Sequence, residues 1–117
     1  MERPVVRGDI WTAAGGPDYA GKPRPVVVIQ DDRFSATRSV TVCPLTTDPT
    51  EAPLFRPAVS PSDANGLRSL SRLMVDKITT MSRERLHRRL GRIEAADQVR
   101  LDRAIVVFLG LAGRASE

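Results

Sequence analysis

The sequence predicts a mainly β fold with one α element: a small, strongly bent β-barrel with a C-terminal helix packed against it. Short apolar stretches recur between residues 9 and 93, separated by connections rich in Gly and Pro. One stretch, Val26-Val27-Val28-Ile29, shows no polar alternation, as expected of a strand buried on both faces. Only after Glu94 does the apolar spacing change from the strand period to the helical one. Many short strands followed by one terminal helix fit a bent barrel better than a layered α/β fold.

The chain has 117 residues, which is room for a single domain over 1–117 with one modest core. Its 41% hydrophobic and 27% charged residues exclude wholesale disorder.

Asp9 to Ala13 reads as the first strand, ended by the turn residues Gly15-Gly16-Pro17. Residues 15–23, carrying Asp18, Tyr19 and Lys22, have the composition of an exposed loop able to cover or line a site. Residues 25–30 form the predicted central strand. Residues 31–35 are a polar connection, and residues 39–45 a third strand with Val40, Val42 and Leu45 pointing inward.

After a second loop at 47–53, residues 54–59 read as a short strand that Pro57 confines to an edge or bulge. Residues 67–78, with alternating Leu70, Leu73 and Val75, read as one bent strand or two short ones. Residues 82–86 look like a single capped helical turn, and residues 90–93 like a brief final strand.

The helix starting at Glu94 places Leu101, Ala104, Ile105, Phe108 and Ala112 on one face, with Glu94 and Asp97 suiting the positive end of its dipole. Val99, Val106 and Val107 lie off that stripe. The surplus of apolar surface predicts a second contact, between subunits.

Eighteen Lys and Arg against 14 Asp and Glu give a formal charge of +4 and favour polyanionic partners, either nucleic acid or an acidic protein. Cys43 is the only cysteine, so no intramolecular disulfide forms, and its neighbours Val42 and Pro44 suggest a small buried hydrophobe in a reducing compartment. The start of the chain is charged and unlike a signal peptide, and the longest apolar run, residues 104–109, is far short of a bilayer span. A soluble, cytoplasmic protein with no membrane association is predicted.

The only histidine, His87, lies inside a run of arginines, so neither a metal site nor a cofactor is expected. No G-x-S-x-G elbow and no phosphate-binding glycine motif is present. What stands out is Pro23-Arg24-Pro25, a permanent cation at the start of the buried strand with its backbone restricted on both sides. A guanidinium held this way offers a planar donor fork matched to phosphate oxygens. On residue type alone, an arginine simply facing water is the alternative.

Leu45-Thr46-Thr47 ends the third strand with a hydroxyl that can converge with Arg24, although threonine pairs also occur in strands for propensity reasons. RNA carries its own nucleophile in the 2′-hydroxyl. An enzyme cleaving it needs to orient that group and stabilise charge developing at phosphorus.

Arg7-Gly8-Asp9-Ile10-Trp11, the stretch from Arg24 to Asp31, Val42-Cys43-Pro44-Leu45-Thr46-Thr47 and the stretch from Asp76 to Leu86 occur in that order. Together they resemble the MazF/PemK toxin family over nearly the whole chain. The resemblance implies a homodimeric, SH3-like barrel of the CcdB/PemK type. It implies cleavage of single-stranded RNA at short sequences, leaving 2′,3′-cyclic phosphate and 5′-hydroxyl ends without a metal. An acidic antitoxin would wrap the toxin with an extended segment.

Arg24 then matches the family's catalytic arginine and Thr46 its catalytic hydroxyl, with Asp18, Tyr19, Lys22, Thr47 and Lys77 as substrate contacts and Arg33 as a further cation. Tyr19 can stack on a splayed base, or it can anchor its loop on the barrel. Two positions depart from the family pattern. Gly16-Pro17-Asp18-Tyr19 stands where relatives have G-S-E-Q, and Lys77 where they have glutamine. A gyrase-poisoning toxin of the CcdB type and an RNA-binding barrel without activity are the rival readings; the first depends on a tryptophan near the C-terminus, whereas the only one here is Trp11.

Overall fold

A computed structural model describes residues 4–14 and 22–113. Its seven strands are β1 (Asp9–Ala13), β2 (Arg24–Val28), β3 (Ser39–Thr46), β4 (Ala58–Val59), β5 (Ser71–Leu73), β6 (Thr79–Ser82) and β7 (Leu86–Arg92), followed by helix α1 (Ala95–Phe108). All pairings are antiparallel, in the order β4-β5-β3-β2-β1-β7, with β6 also on β3.

β3 is the axis of this arrangement. β2 runs along one edge, while the other edge is shared by β6 beside Ser39 to Val42 and by β5 beside Leu45 and Thr46. Two strands leaving one edge in succession curl the sheet into a half-barrel.

The curl gives the sheet two apolar faces. Val27 of β2 packs with Ile10, Cys43, Leu45 and Leu73 on the side covered by Leu101 and Ala104 of α1. Val26 and Val28 pack on the opposite side with Trp11, Ala13, Val40, Val42 and Leu86. The expectation of a central strand buried on both faces therefore holds. Each fully buried valine contributes about 1.5–3 kcal/mol, so this run outweighs any single exposed ion pair. β3 is also buried on both faces, because Cys43 and Pro44 join Val40, Val42 and Leu45 in the interior.

Polar links tie the helix to the sheet. Arg7 donates to the Ile29 carbonyl at 3.1 Å and pairs with Asp102 at 2.6 Å, and Arg100 donates to the Ala58 carbonyl of the β4 edge at 2.6 Å. Val99, Val106 and Val107 are exposed, as their places off the main stripe predicted.

Several sequence expectations need correction. Of the strand predicted over 54–59 only Ala58–Val59 pairs, because the Phe55 and Arg56 amides both turn back onto the Ala52 carbonyl. Leu70 is 48% exposed rather than core, and β5 begins after it. Val75 belongs to a 3-10 turn, Val75–Lys77, and the next strand starts at Thr79. The final strand starts earlier than predicted, at Leu86, directly after the 3-10 turn Arg83–Arg85 that Ser82 caps.

Ala112 lies beyond the helix. Gly110 takes φ 74° and its amide bonds the Val107 carbonyl, while the Leu111 amide bonds that of Val106. This is a Schellman ending, which ordinarily requires glycine at the left-handed position.

Close backbone approach explains Gly91 on β7. A Cβ there would sit 2.2 Å from the Ala64 carbonyl oxygen, and the loop at Ala64 is itself fixed by the buried Asn65 side chain, which bonds the Ser62 and Leu67 amides and the Ser60 carbonyl. Gly91→Ala is therefore expected to cost about 1–3 kcal/mol through overpacking, read as a lower urea midpoint with an unchanged m-value.

Candidate active site

Successive residues of a strand alternate between faces, and directly opposed residues of an antiparallel pair share one. β2 and β3 pair as Val26↔Pro44, Val27↔Cys43 and Val28↔Val42. That ladder ends at Val26↔Pro44, and Arg24 and Thr46 each lie two residues beyond it, at adjoining ends of the two strands. Both have the parity of Val26, Val28, Val40 and Val42, so both belong to the face opposite α1. The row extends either way: Arg24 is paired with Ala13 of β1, and Thr46 with Arg72 of β5.

Arg24 is exposed, and among the described residues no carboxylate lies within ion-pair distance of it. Thr46 is half-buried at the strand end. The Asp48 amide donates to its Oγ1 at 3.1 Å, which uses acceptor capacity and leaves the hydroxyl proton available for an oxygen acceptor. Strand parity thus leaves Arg24 and Thr46 on one face at adjoining strand ends, the arrangement that their expected convergence requires.

Other predicted contacts vary. Lys22 and Thr47 are exposed beside this row, next to the starts of β2 and of the 47–53 loop, and Lys77 is exposed on the turn leading from β5 to β6. Arg33 is not brought to the site: it follows the far end of β2 and chelates Asp31 at 3.1 and 3.2 Å, holding that carboxyl below its ordinary range. Asp18 and Tyr19 lie outside the described residues.

Sequence reading missed three groups around the row. Arg72 stands beside Thr46 with its side chain 10% exposed, paired at 3.1 Å with Glu51 of the 47–53 loop. Arg56 holds Asp76 through two bonds of 2.9 and 3.0 Å. Arg85 donates to the Ala14 carbonyl at 3.0 Å and so fixes the end of β1 beside Arg24. Nothing short of the strand register marks Arg72, since S-R-L resembles any half-buried strand.

The neighbouring thiol is inert: burial, with a smaller effect from Asp76, pushes Cys43 up to about 12. Among the described residues no group of three His, Cys, Asp or Glu could hold a metal ion, and no helix is long and apolar enough to cross a membrane. Charge is unevenly spread. Five arginines against one glutamate in residues 83–92 equal the chain's entire formal +4.

A curled antiparallel sheet with one terminal helix, an exposed arginine and a threonine hydroxyl at adjoining strand ends and a basic strand nearby define a small barrel suited to a polyanion. Residues 6–109 match the family described as PemK-like, MazF-like toxin of type II toxin-antitoxin system, and the chain belongs to that family. It is 58% identical over 107 residues to a probable endoribonuclease MazF of Mycolicibacterium smegmatis, covering 92% of this chain and 98% of the relative. To endoribonuclease MazF9 of Mycobacterium tuberculosis it is 32% identical over 114 residues, covering 90% and 96%. Among solved structures, a mycobacterial endoribonuclease in complex with its cognate antitoxin superposes with a TM-score of 0.78 at 25% identity, covering 96% of this chain and all of the other. The expected family and barrel class are thereby borne out.

The Arg56–Asp76 pair supports the site from below, with side chains only 14% and 23% exposed. Arg56 holds the Asp76 carboxyl below its ordinary value of 3.8. A depressed folded value means that this stabilisation is complete above the unfolded pKa and is lost as pH falls through the folded one. Asp76→Asn is expected to lower stability at neutral pH by about 1.5–3 kcal/mol, from the loss of a charged hydrogen bond. In urea unfolding at a series of pH values, the gap between variant and parent should narrow below about pH 4.

Proposed function

We propose that this chain, acting as one domain, is a sequence-specific endoribonuclease toxin that cleaves single-stranded RNA through Arg24 and Thr46 without a metal. The observation that supports this reading is the β2–β3 ladder, beyond whose end at Val26↔Pro44 an exposed arginine and a threonine hydroxyl follow with the same parity. The 58% identity to a probable endoribonuclease over nearly the full chain supports the reaction class.

In the proposed reaction the 2′-hydroxyl oxygen attacks the adjacent phosphorus and loses its proton to water. The bond from phosphorus to O5′ breaks, and the departing oxygen gains a proton. The products are a 2′,3′-cyclic phosphate and a 5′-hydroxyl. Arg24 stabilises the charge of the pentacoordinate phosphate and polarises the leaving oxygen, while Thr46 donates to a non-bridging oxygen. Lys22, Thr47 and Lys77 contact the RNA on either side, with Asp18 and Tyr19 from the preceding loop.

The strand-borne arginines give the long-range attraction that brings a polyanion to the surface. The same charge suits an acidic antitoxin, which the toxin-antitoxin family and the antitoxin-bound relative both support. Exposed Val107, Phe108, Leu109 and Leu111 at the helix end form an apolar patch that suits a homodimer in the cytoplasm.

The purified protein is expected to cut single-stranded RNA in the presence of a chelator and to leave 5′-hydroxyl ends. Arg24→Ala should lower the cleavage rate by about 10²–10³-fold while the unfolding midpoint is largely kept. Unchanged cleavage by a folded Arg24→Ala protein overturns the mechanism. Binding without any cutting by the parent protein favours the RNA-binding barrel instead.

Lys77 supplies a phosphate-directed charge where relatives carry an amide. Lys77→Gln should therefore shift the preferred cut sequence, seen by sequencing 5′-hydroxyl ends. An identical profile removes Lys77 from the specificity determinants.

A further inference from the structure

We propose that Arg72 is a second phosphate ligand of the RNA groove and that the Glu51 carboxylate occupies its anion-binding position until RNA displaces it. The proposal rests on the endoribonuclease reading above and adds a residue and a substrate-free latch to it.

Three observations converge. First, Thr46 is paired directly with Arg72 on β5, while Arg24 lies at the adjoining end of β2, two residues past the last β2–β3 pair. Opposed residues share a face, with neighbouring Cα atoms about 4.5–5.5 Å apart. Arg72 is thus one strand spacing from the Thr46 hydroxyl, close enough for it to address a phosphate beside the scissile one.

Second, the Arg72–Glu51 pair is lopsided. Arg72 is sunk into the sheet with its side chain 10% exposed, whereas Glu51 is 81% exposed on its loop. The neighbouring Arg56–Asp76 pair is shielded on both sides and bidentate. That is the geometry of a structural pair. A single bond to a carboxylate standing in water is weak, so a phosphate that brings a bidentate contact can replace it.

Third, the segment carrying Glu51 is wound from the site itself. Thr46 Oγ1 accepts from the Asp48 amide, and Asp48 accepts from both the amide and the hydroxyl of Thr50. These bonds span two residues each and open without disturbing a strand. Displacing Glu51 therefore frees Arg72 and relaxes the Thr46 hydroxyl in one movement.

The test uses the full chain and Arg72→Gln, Glu51→Gln and the double variant. Binding is measured by anisotropy over a salt series with a labelled pool of short random-sequence RNA, 2′-O-methylated so that it lacks the nucleophile. Cleavage is followed in parallel on the unmodified pool. Arg72→Gln is expected to weaken binding about ten- to hundredfold and to flatten the dependence of log Kd on log salt by about 0.7, the value of one single-strand phosphate contact. Glu51→Gln is expected to tighten binding severalfold, and this gain should vanish in the double variant.

A purely structural Arg72 would lower the urea midpoint and leave the salt slope unchanged, which overturns the proposal. So does a Glu51→Gln protein that binds no more tightly than the parent, or one whose gain survives loss of Arg72. If the parent protein neither binds nor cuts RNA, the endoribonuclease reading fails and takes this inference with it. A parent that does both, beside an Arg72→Gln variant with the parental slope, refutes the role of Arg72 alone.

Discussion

The register of β2 against β3 is the constraint on which the rest of this molecule depends. A slip of one residue would exchange the two faces of the strand and carry Arg24 away from Thr46. The apolar pattern does not by itself forbid that slip, because Val26, Val27 and Val28 suit either face equally well. The pairing is pinned at its far end instead. The Ile29 amide donates to the Thr41 carbonyl at 3.1 Å, and the Gln30 side chain accepts from the Thr41 amide while donating to the Phe34 carbonyl and the Thr37 hydroxyl. The geometry at one end of the hairpin is therefore determined by an amide side chain at the other.

This also explains which parts of the fold were legible in the sequence. β1, β3 and α1 each carry their own apolar pattern and β2 an unbroken β-branched run, and the predicted and observed elements agree closely. The segments around β4, β5 and β6 do not. Their conformation depends on a local turn, in which the Ala52 carbonyl draws Phe55 back, and on partners remote in sequence: the Pro44 carbonyl that bonds the Met74 amide and the two-strand edge of β3. The end of α1 was written in the sequence as Gly110, but periodicity alone ran past it to Ala112.

The candidate site divides in the same way. Arg24 was visible because proline on both sides is unusual, and Thr46 because it closes a strand; the family resemblance joined them. Their placement side by side needed the register. Arg72 and Glu51 were invisible, since an arginine in S-R-L and a glutamate in a loop carry no local sign of having met. Lys77 was visible only as a departure from the family pattern.

The charged groups fall into two electrostatic classes, and the R-G-D-I-W motif belongs to the first. Arg7 bridges Asp102 and the Ile29 carbonyl, while Asp9, 4% exposed, accepts from the Val6 amide and from Arg89 and Arg92. Asp9 is held by a backbone amide and two guanidinium groups and Arg7 by a carboxylate and a carbonyl, so no single exchange releases either of them. They hold the helix and the basic strand β7 to the start of β1. At the rim of the sheet the situation is reversed: Arg24 faces water and Arg72 is met by a carboxylate that water already solvates. Ions held that weakly in the folded state cost little to hand over to a phosphate. The sheet thus keeps its structural charges satisfied by its own backbone and carboxylates, and the proposed reading gives to the substrate only those near Thr46 that it holds weakly.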